Sequence, residues 1–146
     1  AEQIRLAAGE PLGYTQDEVV LRGHSIELRI NAEDAANDFR PQAGVVEAYR
    51  PPGGPGVRMD SHLYAGYEVP PYYDSLLAKL VVWGPDRETA IARGRVALDE
   101  LIIDGLLTNV PFHRALLTNG RFLEGRFTTN LLDRVGSAAF VGRGSG

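Results

Sequence analysis

The chain has 146 residues, 44% apolar and 23% charged, the balance of one ordinary domain able to bury about two thirds of its unfolded surface. A formal charge of −4 and a pI near 5.3 supply no basic field for a phosphate backbone, which argues against nucleic acid as a partner. There is no cysteine, so disulfides and thiolate chemistry are excluded, and no window approaches the roughly 20 apolar residues of a membrane helix.

Glu2 to Ala8 reads as a helix, with Ile4 and Leu6 to Ala8 apolar, stopped by Gly9 and Pro11. It is shorter than isolated helices usually tolerate, and suggests a chain cut from a longer parent. No basic leader precedes it, and a cytoplasmic location is expected. From His24 the residues Ile26, Leu28 and Ile30 alternate with Glu27, Arg29 and Asn31, the period of a strand with one apolar face. Val45, Val46 and Tyr49 mark a second strand. The turn-forming run Pro51-Pro52-Gly53-Gly54-Pro55-Gly56 follows, before a short extended stretch at Val57 to Met59.

Leu76 to Val82 is apolar on both faces and predicts a buried strand. Gly84-Pro85 ends it, and Asp86 is placed to cap a helix whose Ile91, Gly94, Leu98 and Leu101 recur at helical spacing. A short strand at Ile102-Ile103, a turn at Asp104-Gly105, and helices near Val110–Leu117 and Asn130–Val135 complete the series. Strands first and helices later predict an α+β fold: a mainly antiparallel sheet, like a rudimentary hybrid motif, with the later helices packed against it. Residues 1–136 are expected to form the domain. The glycine-rich 137–146 are expected to be a flexible tail, partly vector-derived.

An arginine on a strand is a rigid cation whose guanidinium can hold a carboxylate, a bicarbonate or a developing oxyanion. Arg29 has that placement, with Glu27 on the same face. From the pattern alone, a cross-strand ion pair on a solvated face is the favoured account of it. Asp74, after the stiff Pro70-Pro71, is either a functional loop residue or a turn cap. Asp60 and His62 lack a third ligand at a recognised spacing, so no metal site is expected. His24 and His113 are isolated, and no serine sits in a nucleophile elbow.

Four strings, Arg22-Gly23-His24, Glu27 to Asp34 (ELRINAED), Tyr64-Ala65-Gly66-Tyr67 and Pro70 to Ser75 (PPYYDS), closely resemble the carboxy-terminal domain of biotin carboxylases, in the same order. Leu101 to Gly105 and Thr108-Asn109 extend the resemblance, which runs from about Glu2 to Leu132. It implies part of an ATP-grasp ligase in which ATP and bicarbonate form carboxyphosphate, and biotin on a carrier domain captures the carbon dioxide. Acetyl-CoA carboxylase of fatty acid biosynthesis is one such context. The acceptor itself is chosen by a carboxyltransferase part.

By the same resemblance, Arg29 is the arginine that stabilises the ureido oxygen of biotin and contacts bicarbonate, which favours a catalytic role for it. Asp74 and Glu27 are expected to border the biotin and bicarbonate site. Arg58 matches an arginine at the homodimer contact, where the neighbouring family aromatic is Pro55. Leu131 and Leu132 match the edge of the adenine pocket, with Leu132 in place of a common histidine. The family's phosphate loop, ATP-binding lysines and magnesium ligands match nothing in this chain. ATP and magnesium would therefore be held by an upstream ATP-grasp part, and the isolated chain is expected to bind no cofactor and be inactive. The alternative is a non-catalytic assembly or dimerisation module with the same fold.

Overall fold

The computed structural model describes residues 1–72, 74–132, 136 and 140. Alternation in the first polar-apolar run produces β1 (His24–Asn31), and the doubly apolar run produces β8 (Leu76–Gly84). They pair antiparallel, Ile26 opposite Val82, Leu28 opposite Leu80 and Arg29 opposite Lys79. The register slips between Ile30 and Asn31. On the other side of β8 lies β6 (Val57–Ser61), so the main sheet has the order β1-β8-β6 and β1 is an edge strand.

The central position of β8 explains its composition. Ala78, Leu80 and Val82 face the main core, whereas Leu77, on the opposite face, is buried with Ala32, Val46, Leu63 and Val69. A strand covered on both faces needs apolar residues at consecutive positions. Helix α2 (Arg87–Glu100) lies across the inner face and buries Ala90, Ile91, Gly94, Ala97 and Leu98. Its N-terminus is capped as the sequence predicts, the Asp86 side chain accepting the Thr89 N–H at 2.7 Å. At Gly94 an added Cβ would stand 3.0 Å from Leu117, so the missing side chain lets α3 (Val110–Leu116) and the turn after it approach α2 closely. Ile30, Leu80, Leu98 and Leu117 are wholly buried between these layers. Each contributes about 1.5–3 kcal/mol of transfer free energy.

The expected second strand is in fact two. Gly44–Val45 (β4) pairs with β7 (Glu68–Val69), and Ala48–Arg50 (β5) pairs with β9 (Ile102–Asp104). The chain changes partner between them: Val46 N–H donates to the Tyr67 carbonyl and Glu47 N–H to that of Asp104. Val46 is consequently wholly buried where the small sheets meet. The hairpin of β2 (Glu33–Asp34) and β3 (Arg40–Pro41), and the one-turn helix α4 (Gly120–Leu123) capped by Asn119, were not expected from periodicity.

Helix α1 (Glu2–Ala7) forms but buries no residue, and residues 3–23 are exposed throughout. Of the expected last helix, Leu131 and Leu132 are helical and residues 133–135 lie outside the described set. Most of the expected tail, 137–139 and 141–146, also lies outside it. Phe140 does not: it is buried 5.5 Å from the Phe112 ring, in a cluster with Ala35 and Leu131. The architecture is α+β, with an antiparallel sheet built mainly in the first half and helices in the second.

Candidate functional site

The outer face of the main sheet is polar because alternation on β1, β8 and β6 sends Glu27, Arg29, Lys79, Arg58 and Asp60 to the same side. One rung reads Glu27, Val81, Arg58 and the next Arg29, Lys79, Asp60. Arg29 meets Asp74, which reaches it from the loop entering β8, with Nη2 and Oδ2 3.9 Å apart. That separation is an ion pair without a hydrogen bond, and both side chains are half or more exposed. Such a pair stabilises a fold by at most about 1 kcal/mol. Among the described residues the guanidinium of Arg29 makes no hydrogen bond, so its N–H donors are free to meet an anion.

Asp74 combines the two readings left open by its sequence. Its Oδ1 accepts the Leu76 N–H at 3.0 Å and shapes the turn, while its other oxygen faces Arg29. Glu27 shares the face but stands one rung away, opposite Val81. Arg58 is exposed and pairs with Asp60 at 3.1 Å on its own strand.

Behind Arg29 lies a polar cluster that the sequence did not single out as a site. Glu33 accepts from Ser75 Oγ at 2.5 Å and from Asn31 Nδ2 at 3.0 Å, which ties the end of β1 to the loop carrying Asp74. On the open edge of β1, Asn109 Nδ2 donates to the Arg29 carbonyl at 3.0 Å and its Oδ1 accepts the Asn31 N–H at 2.9 Å. His113 Nε2 lies 2.9 Å from the same Arg29 carbonyl. A carbonyl only accepts, so Nε2 carries a proton and the ring donates. Asn109 and His113 are the two buried polar residues of the described core. Burial pushes the His113 imidazole below its ordinary pKa, against the smaller opposing pull of its bond to Arg29 and the charge of Glu33. The available signal was Asn109 immediately before Val110-Pro111, the pattern of a helix start.

Leu131 is buried against Ala35, Phe112 and Phe140, with Leu132 packed beside it. Leu131 also lines a concavity of about 320 Å³ with Arg121, Phe127 and Asn130. His62 packs edge-on against Tyr67 at 5.0 Å. No group of three His, Asp or Glu side chains able to hold a metal ion occurs among the described residues.

The sequence profile of the biotin carboxylase C-terminal domain matches residues 27–134, most of the chain, including Arg29, Asp74, Asn109 and His113. The chain belongs to that family. It is similar to the biotin carboxylase of Nostoc sp., 58% identical over 92% of this chain and 30% of that protein. One of the pyruvate carboxylase polypeptides of Methanothermobacter thermautotrophicus is 52% identical over 90% of this chain and 27% of that one. Among solved structures, the biotin carboxylase domain dimer of Hydrogenobacter thermophilus 2-oxoglutarate carboxylase, in complex with MgADP, ADP and bicarbonate, superposes with a TM-score of 0.90. It is 45% identical, covering 94% of this chain and 30% of that one. This C-terminal domain thus spans somewhat less than a third of the length of the relatives it matches.

Proposed function

We propose that this domain supplies the carboxy-terminal wall of a biotin carboxylase active site, with Arg29 as its catalytic cation. The observation that carries the reading is a guanidinium on a stiff strand, 3.9 Å from Asp74, with its donors uncommitted among the described residues. A planar fork of N–H groups fits both bicarbonate and the ureido oxygen of biotin, and a fixed cation stabilises negative charge developing there. Carrier-borne biotin supplies the ring nitrogen that becomes carboxylated. Asp74 holds the guanidinium from one side, and Glu27 borders the same polar face.

ATP and magnesium belong in this reading to an ATP-grasp part upstream in the same enzyme. Residues 3–23 are exposed throughout, and the apolar side chains of Ile4, Leu12, Val20 and Leu21 among them are compatible with a further part packing there. Leu131 and Leu132 are proposed to edge the adenine pocket, and Arg58, on the exposed strand β6, to join a homodimer contact. The carrier domain would approach the open polar face, and the acidic, cysteine-free composition fits a cytoplasmic enzyme.

The test joins this chain to the upstream part and measures biotin-dependent ATP hydrolysis. Arg29→Ala should lower it by about 10²–10³-fold, as removal of an oxyanion donor does, with circular dichroism unchanged. Undiminished hydrolysis by a folded Arg29→Ala enzyme would overturn the reading. The isolated chain should show neither ATPase activity nor ATP binding by calorimetry.

A further inference from the structure

Strand β1 has a partner on one side only, and its ladder with β8 slips immediately after Ile30. Residue 29 is therefore close to the last regular rung, on an edge where peptide groups lack a neighbouring strand. The side-chain amide of Asn109 occupies the place of that missing neighbour. It donates to the Arg29 carbonyl and accepts the Asn31 N–H, as a peptide group of an adjacent strand would. The Asn109 N–H donates in turn to the Asn31 carbonyl at 3.1 Å. His113, one helical turn further along α3, brings a second donor to the Arg29 carbonyl. Both side chains are buried, so these bonds do not compete with bulk water.

We propose that Asn109 and His113 are positioning residues for carboxylation: together they clamp the Arg29 backbone from the open edge of β1 and thereby set the aim of its guanidinium. The inference rests on Arg29 being the catalytic cation. Neither residue touches the face on which substrate would bind, so each acts through Arg29. A guanidinium at the end of a long side chain amplifies small rotations of its own backbone, and misplacement of about 1 Å can cost a factor of about 10² in rate.

The experiment uses the chain joined to its upstream part and compares Asn109→Ser, His113→Leu, His113→Gln and Arg29→Ala. It measures kcat for biotin carboxylation, KM for ATP and amide hydrogen exchange at Asn31. Asn109→Ser keeps a small polar side chain too short to reach the Arg29 carbonyl, and it should lower kcat about tenfold or more while KM for ATP stays unchanged. Its Asn31 amide should exchange faster. His113→Leu should show the same split in kinetics. His113→Gln, which retains an N–H able to reach the carbonyl, should recover most of the lost kcat. If His113→Leu fails to fold, Asn109→Ser and the Gln variant decide. Inactive Arg29→Ala beside fully active Asn109→Ser and His113→Leu would overturn the clamp and leave Arg29 catalytic. Equal changes in kcat and KM with no recovery by Gln would also overturn it. Active Arg29→Ala would instead overturn the catalytic reading on which the clamp rests.

Discussion

Ser75 donates from Oγ to Glu33 Oε1 at 2.5 Å, a bond between residues 42 apart in sequence that locks the loop carrying Asp74 onto the end of the strand carrying Arg29. Two sequence strings that resemble the family separately are thus one structural unit. The Ser75 carbonyl also accepts the Ala32 N–H at 2.7 Å, so backbone and side chain hold the loop together. Ser75→Ala removes the side-chain bond and leaves Glu33 with Asn31. A hydrogen bond to a carboxylate in a half-buried setting contributes about 1–2 kcal/mol. The urea midpoint should fall accordingly, with the slope of the transition unchanged; an unaltered midpoint would refute the coupling.

Gly105 has φ of +99°, and a Cβ there would collide with the Val45 carbonyl and lie 2.8 Å from the Glu47 N–H nitrogen. Both are backbone atoms where β4 hands over to β5, so neither can yield cheaply. Gly105→Ala should cost about 3 kcal/mol, combining a left-handed backbone with overpacking. Gly120, in α4, has nothing within 4 Å of such a Cβ, and Gly120→Ala should be neutral or stabilise by up to about 1 kcal/mol. Thermal denaturation of the pair measures the contrast.

His113 makes stability depend on pH in a defined direction. Its pKa in the folded chain lies below the ordinary 6.5, chiefly because burial disfavours the imidazolium, although Glu33 opposes this. As pH falls below about 6.5 the unfolded chain takes up a proton that the folded chain refuses. Stability therefore falls with decreasing pH across the window from the ordinary value down to the folded one, and is level above it. Urea midpoints between pH 5 and 8 should show this slope in the native chain and lose it in His113→Gln. A slope preserved in the variant would assign it to other groups.

Arg58 stands on the exposed strand β6 with a side chain 70% exposed and only Asp60 as its ion-pair partner among the described residues. Arg58→Glu replaces this pair with two like charges two residues apart on one face, which costs little in the monomer at such exposure. Across a dimer contact the same reversal acts in both copies. Sedimentation of the chain joined to its upstream part should show a dimer for the native protein and a shift toward monomer for Arg58→Glu. A dimer of undiminished strength would remove Arg58 from the contact.

The amino-acid sequence alone determined the elements whose periodicity is local. Ile26, Leu28 and Ile30 announce β1, the apolar run from Leu76 announces β8, and Asp86 announces the start of α2, because each signal lies within one or two turns of chain. The strings around Arg29 and Asp74 likewise pointed to the family, and alternation placed Arg29 on the polar face. Only the tertiary structure decided that Val45 and Tyr49 belong to different sheets, because that depends on which distant edges, β7 and β9, arrive to pair with them. It alone brought Asn109 and His113, 80 and 84 residues away, onto the Arg29 carbonyl. An open strand edge carries no mark in its own residues: what satisfies its peptide groups is set by the topology that delivers a neighbour to it.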